Sequence, residues 1–190
     1  MSGKTTITVD RDVALRFSKA TREHGISALR LASDSLELTI EALRYGYNPR
    51  RLILLLKMAT SLETEDAFPM PIHMLSSIFE EIGLGRYKIP FYEAGKALGT
   101  TLSVSIKFHE LIQDPLMFKL ILPIRNATCN IKSGSCEVSL AFPLSAKGLM
   151  ELFASYIRGL LDGYGITSHK VNVKENIIEI YIENCSQPQS

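Results

Sequence analysis

The chain has 190 residues, of which 46% are hydrophobic and 22% charged, and these proportions are typical of a folded soluble protein. No apolar run approaches the ~20 residues of a membrane-spanning helix, so we expect no membrane partner. The formal net charge of +1 by itself neither favours nor excludes a nucleic-acid partner.

Cysteine usage and charge distribution add two further constraints. The N-terminus has no long apolar segment of the secretory type, and three cysteines at irregular spacing argue against a disulfide framework, so we expect a cytoplasmic protein. Residues 1–51 hold nine Lys and Arg against six Asp and Glu, a net +3, and the remaining twelve and fourteen give −2. A basic N-terminal segment is compatible with DNA binding.

The chain begins with a short predicted strand. Residues 4–10 (KTTITVD) alternate polar and apolar side chains. In a strand this alternation places Ile7 and Val9 on one face and Thr6 and Thr8 on the other.

Two helices are predicted to follow the strand. Asp10 is expected to cap a helix that starts at Arg11, and residues 24–25 (HG) are expected to end it. Ser27 is expected to cap the second helix. The apolar stripe of the second helix consists of Leu29, Ala32, Leu36, Ile40 and Leu43.

The rest of the chain changes from helical to strand patterns near residue 116. Helices are predicted over 50–62, 71–83 and 89–104, and a long helix capped by Ser145 is predicted to end near Asp162. Strands are predicted over 117–124, 127–131, 136–142, 166–174 and 177–183. The predicted fold class is α+β. The predicted organisation is a β-α-α domain over 1–48, a linker helix and turn over 49–70, an α/β domain with an antiparallel sheet over 71–185 and a disordered tail over 186–190.

The N-terminal segment is too small to be stable by itself. About fifty residues with one strand and two helices bury too little apolar surface, and the strand has no partner. Two intertwined chains remove both problems, because the strands pair antiparallel across a two-fold axis and the helices share one core. The expected dimer core consists of Ile7, Val9, Val13, Phe17, Leu29, Leu36 and Ile40.

In the order and length of its elements, the segment 4–45 resembles the ribbon-helix-helix family of the Arc and MetJ repressors. In that family the two-stranded ribbon of a dimer enters the major groove of double-stranded DNA. The resemblance implies that Lys4, Thr6 and Thr8 meet base edges. Lysine can donate to guanine, and threonine offers a hydroxyl and a methyl group. Threonine is also simply a good strand residue, so a pure dimerisation module stays open.

The same resemblance implies a phosphate site at the start of the second helix. Its parts are Ser27 and the amides of Ala28 and Leu29. The free amides and the positive end of a helix suit an anion.

Residues 89–99 (IPFYEAGKALG) resemble the tyrosine/glycine helix of the 4-vinyl-reductase sensor-domain family, and the order of elements over 70–184 is also similar. The resemblance implies a mixed α/β domain that binds a small apolar ligand. The candidate pocket residues are Phe91, Tyr92, Gly95 and Phe153. A core role explains these aromatics more simply than a pocket does, because pockets are few per protein, and a close helix–helix contact explains Gly95 with Gly99.

Catalytic and metal-binding patterns are not found. The four histidines are isolated, and the cysteine metal site of some sensor-domain relatives is not matched, so we expect no metal and no cofactor. Cys129 and Cys136 flank a predicted hairpin turn. The open alternatives for them are a redox bridge, half of a metal site, or two buried apolar residues. The sequence has no nucleophile elbow, phosphate loop or HExxH motif, so we expect no catalytic residues and no enzyme.

These patterns together predict a sequence-specific DNA-binding transcription regulator. It would act as a homodimer or higher homo-oligomer, with a C-terminal domain for ligand sensing or further oligomerisation. One alternative is an antitoxin-like or other interaction module whose C-terminal domain binds a protein partner. Another is a catalytic or carrier domain that the N-terminal segment merely dimerises.

Overall fold

A computed structural model of the chain describes residues 6–67, 70–82, 84–132, 134–143 and 147–183. Its secondary structure consists, within those ranges, of seven α-helices, two short 3-10 helices and one four-stranded antiparallel sheet, which confirms a mixed α+β fold. The chain divides into two compact units, Met1–Ile53 (unit 1) and Leu54–Ser190 (unit 2). The division falls inside the predicted linker segment 49–70.

Unit 1 contains the two predicted helices, α1 (Arg11–Glu23) and α2 (Ala28–Arg44). The side chain of Asp10 accepts hydrogen bonds from first-turn amides of α1, the closer at 2.8 Å. Gly25 ends α1 with φ +66°, a left-handed conformation that glycine adopts without strain. The Ser27 hydroxyl accepts a hydrogen bond from the third amide of α2. Both helices and both caps are therefore confirmed.

The predicted strand before α1 is not present in the single chain. Residues 6–10 have no regular secondary structure, and residues 4 and 5 lie outside the described residues. A strand is stable only when its backbone groups pair with a neighbouring strand. The described part of unit 1 offers no such neighbour, and the ribbon and its dimer therefore stay predictions.

Helix α3 (Pro49–Thr64) begins at the predicted proline and contains the division between the units. The Asn48 side chain accepts a hydrogen bond from the Arg51 amide at 2.9 Å and so caps the helix. Further along, Met58 is completely buried in the core of unit 2.

The remaining helices of unit 2 are α4 (Ile72–Ile82), α5 (Lys88–Ser105), α6 (Phe108–Gln113) and α7 (Lys147–Gly163), with 3-10 helices at Gly85–Tyr87 and Pro115–Leu120. Of these, α4, α5 and α7 were expected from their periodicity, although Ser145, the expected cap of α7, lies outside the described residues. No helix in the described part of the chain is both long enough and apolar enough to cross a bilayer.

The prediction of a strand over 117–124 is wrong. This apolar segment starts as a 3-10 helix at Pro115, whose fixed φ favours a helical turn. Met117 and Phe118 are buried in the core. Seven of the eight residues in 117–124 are apolar, and a short run of this kind does not distinguish a buried strand from a buried helical turn, so the pattern was ambiguous.

The sheet consists of β1 (Asn126–Lys132), β2 (Ser135–Ala141), β3 (His169–Lys174) and β4 (Ile177–Ile182). Its strand order is β1-β2-β4-β3, and all neighbours are antiparallel. These strands match the other four predicted segments. The chain therefore forms two hairpins, separated by α7, that join through β2 and β4.

One face of the sheet forms the core of unit 2 together with α7. Val138, Leu140 and Ile178 point to this face and are completely buried, in the same cluster as Leu152 and Ile157 of α7. The alternate residues of the strands are exposed or half-buried, as expected for a sheet with one covered face.

Helices α5 and α7 approach each other closely along two pairs of glycines. These are Gly95 and Gly99 on α5 and Gly159 and Gly163 on α7. A Cβ atom at any of the four positions would overlap backbone atoms of the opposite helix. Close helix–helix packing therefore explains Gly95 and Gly99.

Candidate functional site

Unit 1 exposes many of its apolar side chains. Among its described residues, 6–53, only Thr21 and Ala42 are buried. Phe17 of the predicted dimer core is half-buried, and the other six members are exposed, Leu29 by 65%. We call these six residues the exposed apolar face: Ile7, Val9, Val13, Leu29, Leu36 and Ile40. Apolar side chains concentrated on one small unit make this face a candidate interaction surface.

The residues predicted to contact bases lie just before α1. Thr6 and Thr8 are exposed, and Lys4 lies outside the described residues. Ile7 and Val9 are also exposed, each by 58%. In a single chain, therefore, the apolar and the polar side chains of this segment are all exposed, and no buried face is distinguished from a face that could meet DNA.

The predicted phosphate site lies at the N-terminus of α2. Its first amides, on Ala28 and Leu29, precede the first i→i+4 hydrogen bond of the helix, in which the Leu31 amide donates to the Ser27 carbonyl at 2.9 Å. All three predicted residues are exposed. The arrangement leaves two amides at the positive end of the helix open to an external acceptor.

Unit 1 also presents several cationic side chains. Three exposed arginines of α1 form no ion pair within the described residues: Arg11, Arg16 and Arg22. Three other cations pair only with carboxylates on their own helices: Lys19–Glu23, Arg30–Asp34 and Arg44–Glu41. Exposed pairs of this kind contribute about 0–1 kcal/mol, so a stronger anionic partner can displace them.

Unit 2 contains a cavity of about 490 Å³. Eleven of its thirteen described lining residues are apolar. They come from α3, α4, α5 and α7, from the connection between α3 and α4, and from the second 3-10 helix and the segment that follows it. Two lining residues are polar, Lys119 and Tyr156. Both the volume and the apolar lining are typical of small-molecule sites.

Only part of the predicted ligand pocket lines this cavity. Phe91 and Phe153 do, whereas Tyr92 and Gly95 do not. Lys119 and Tyr156 were not among the predicted pocket residues. Lys119 is the only charged residue in 115–124 (PLMFKLILPI), a signal that could have pointed to it.

Tyr92 belongs instead to a cluster that connects α5 with α7. Its hydroxyl donates a hydrogen bond to Asp162 Oδ2 at 2.6 Å, and this bond is the main cause that raises the pKa of Tyr92 above its ordinary value. Nδ1 of His169 lies 3.8 Å from Asp162 Oδ1 and 2.9 Å from the Ile166 carbonyl oxygen. The cluster orients these side chains between neighbouring elements, which is a structural role.

The two hairpin cysteines do not face each other. Cys129 pairs in register with Val138, and Cys136 pairs with Ile131. Cys129 is a free, half-buried thiol whose pKa is raised by burial, and Cys136 is completely buried and disulfide-bonded. The alternative of a redox bridge between Cys129 and Cys136 is therefore excluded.

Within the described ranges, no three His, Cys, Asp or Glu side chains come close enough together to hold a metal ion.

Comparison of the chain with protein-family models, with curated proteins and with solved structures finds no match.

Proposed function

We propose that the chain is a dimeric, sequence-specific DNA-binding transcription regulator. Unit 1 would read DNA, and unit 2 would sense a ligand or extend the oligomer. The observation that carries this proposal is the exposed apolar face of unit 1, since two well-capped helices bury only two residues between them. A second copy of unit 1 would supply the missing core.

Association of two copies would also give the N-terminal segment a partner. Residues 6–10 are exposed and their backbone groups are not engaged in a ladder, so two such segments are available to pair antiparallel. In that pairing Ile7 and Val9 would face the shared helices. Thr6 and Thr8 would then face outward, with Lys4 on the same side.

An outward ribbon with these residues suits the major groove. Lysine and threonine side chains can contact guanine and thymine edges, while the amides of Ala28 and Leu29 would bind a backbone phosphate. The arginines of α1, which form no ion pair within the described residues, would add an electrostatic attraction to the duplex. The base contacts would determine sequence specificity, and the phosphate contacts would fix the orientation of the protein on the duplex.

The direct test is binding to a DNA fragment from the region upstream of the chain's own coding sequence. Wild type is compared with Lys4→Ala and Thr6→Ala over a range of salt concentrations. We expect both variants to bind more weakly, by about 1–3 kcal/mol for a lost base contact, and the affinity to fall steeply with salt. Matched controls are Lys170→Ala and Thr100→Ala, which remove exposed side chains of unit 2.

Two results would contradict the proposal. Equal affinity of wild type, Lys4→Ala and Thr6→Ala at every salt concentration would remove the ribbon from DNA recognition. A loss of affinity as large in the unit 2 controls would show that general charge, and not the ribbon, determines binding.

A protein-interaction module is the second candidate function, and one observation favours it. Ile89 and Val104 on α5 are exposed by 74% and 87%, so unit 2 has apolar side chains outside its own core. An antitoxin-like protein would use exposed apolar side chains of this kind to bind a partner encoded beside it. Co-purification with that neighbour, lost in Val104→Asp, would support this candidate.

A further inference from the structure

We propose that the cavity of unit 2 binds a small organic acid, with its apolar body inside the cavity and its carboxylate at Lys119. This inference rests on the ligand-sensing role proposed above for unit 2, and it names the chemical class of the ligand. All residues that line the cavity belong to unit 2.

The interior of the cavity suits an apolar body. Phe153 is 4% exposed and forms part of the inner wall, and Phe91, Leu75 and Leu62 are half-buried around it. A volume of about 490 Å³ lies within the ~300–1,000 Å³ of typical small-molecule sites. Transfer of a hydrocarbon body from water into this space is favourable.

The charge at the cavity suits an anion. Among the described residues that line it, Lys119 alone is charged, and this residue is exposed, so an anion can reach it from solvent. Lys119 forms no salt bridge or hydrogen bond within the described residues. A carboxylate would be its first ionic partner, in a charge-assisted hydrogen bond.

The second polar group indicates which way the acid lies. Burial, together with the nearby charge of Glu65, raises the pKa of Tyr156 far above its ordinary value, so this phenol stays neutral. Glu65 itself accepts a hydrogen bond from the Thr101 hydroxyl. A carboxylate beside Tyr156 would be repelled by Glu65, whereas one at Lys119 would be attracted.

The test measures binding of three probes that share one eight-carbon chain: octanoate, octan-1-ol and octylamine. Calorimetric titration of the full chain is suitable because the protein has no tryptophan to report by fluorescence. We expect octanoate to bind about tenfold more tightly than octan-1-ol, and octylamine to bind most weakly.

Substitution then locates the site. Lys119→Met keeps the length of the side chain and removes its charge, so octanoate affinity should fall about tenfold to the level of octan-1-ol, with octan-1-ol unchanged. Lys170→Met removes an exposed lysine on the sheet and should change neither. Ala67→Leu, at an exposed lining position, would fill the cavity and should weaken both probes.

Several outcomes would overturn the proposal. For wild type, they are equal affinities for octanoate and octan-1-ol, or no binding of any probe. For the variants, they are an equal loss of affinity for both probes in Lys119→Met, or unchanged binding in Ala67→Leu. The proposal also fails if Lys170→Met weakens octanoate binding as much as Lys119→Met does. DNA binding of the same preparations is measured without probe. Retained DNA binding with no probe binding rejects the acid site alone, and probe binding without DNA binding rejects the regulator alone.

Discussion

The backbone carbonyl oxygen of Tyr156 occupies the place that a Cβ atom of residue 95 would need. This relationship brings α5 and α7 together at a distance that only glycine permits. On the opposite side, Gly159 faces the carbonyl oxygen of Tyr92 in the same way. The two helices therefore form a contact that backbone atoms, and not side chains, define.

Gly95→Ala should consequently destabilise unit 2. The clash involves backbone, which cannot rotate away, so we expect a loss of about 1–3 kcal/mol in the free energy of unfolding. Gly85→Ala is the matched control, since a Cβ there meets no atom within 4 Å. Urea unfolding followed by circular dichroism measures both, and equal stability of the two variants would contradict the close contact.

Leu36→Lys should separate the proposed dimer. In the shared core of the dimer, the lysine ammonium would be buried without an ionic partner. The free energy of burying it is unfavourable, whereas in a monomer the same group stays in water, so the monomer is favoured. We expect the mass measured by light scattering to halve. Glu37→Gln changes the net charge by the same +1 at the neighbouring exposed position and should stay dimeric. A monomeric wild type would rule out the intertwined unit 1.

Tyr164→Phe should leave unit 2 at least as stable as wild type near neutral pH. The hydroxyl is buried with no hydrogen-bond partner within the described residues, while the ring packs edge-on against Phe108, with centroids 5.3 Å apart. Removal of the oxygen keeps the ring contact and removes an unsatisfied polar group, so we expect a change between about zero and a gain of 1 kcal/mol. A loss of more than about 1 kcal/mol in the unfolding free energy, measured by chemical denaturation, would show that the hydroxyl has a hydrogen-bond partner.

The same tyrosine should make the stability of wild type depend on alkaline pH. Burial, and secondly the charge of Glu110, raises the pKa of Tyr164 in the folded chain. Its neutral form is fully compatible with the fold below about pH 10, the ordinary pKa of tyrosine. As pH rises through that value toward the folded pKa, ionisation favours the unfolded chain and stability is lost. The difference in unfolding free energy between Tyr164→Phe and wild type should grow above pH 10, and a difference that stays constant from neutral to alkaline pH would contradict this effect of burial.

Tyr92 and Asp162 should be energetically coupled. Tyr92→Phe and Asp162→Ala each remove the same hydrogen bond between α5 and α7, so the double variant should lose less stability than the sum of the two single losses. Additive losses would show that the bond contributes nothing in solution.

The sequence was most informative where local chemistry decides the structure. The caps at Asp10 and Ser27 and the turn at Gly25 could be predicted because each depends on residues a few positions apart. The segment 117–124 was misassigned because a short, mostly apolar run has no clear period, and its conformation depends on the surrounding core.

The candidate site was only partly predictable for a related reason. Phe91 and Phe153 were identified as pocket residues, but Lys119 and Tyr156 join them only through the packing of distant segments. Tyr92 and Asp162 are 70 positions apart, so neither signals the other in the sequence. Contacts of this kind are set by tertiary structure, which no local pattern encodes.

The unequal burial in the two units has a consequence for how the protein would respond to its own abundance. Unit 2 has a core of its own, so its melting temperature should not depend on protein concentration. Under the proposed association, unit 1 would fold only as it pairs, and its melting temperature would rise with concentration. Copy number in the cell would then set the fraction of chains able to read DNA, with a second-order dependence at low abundance.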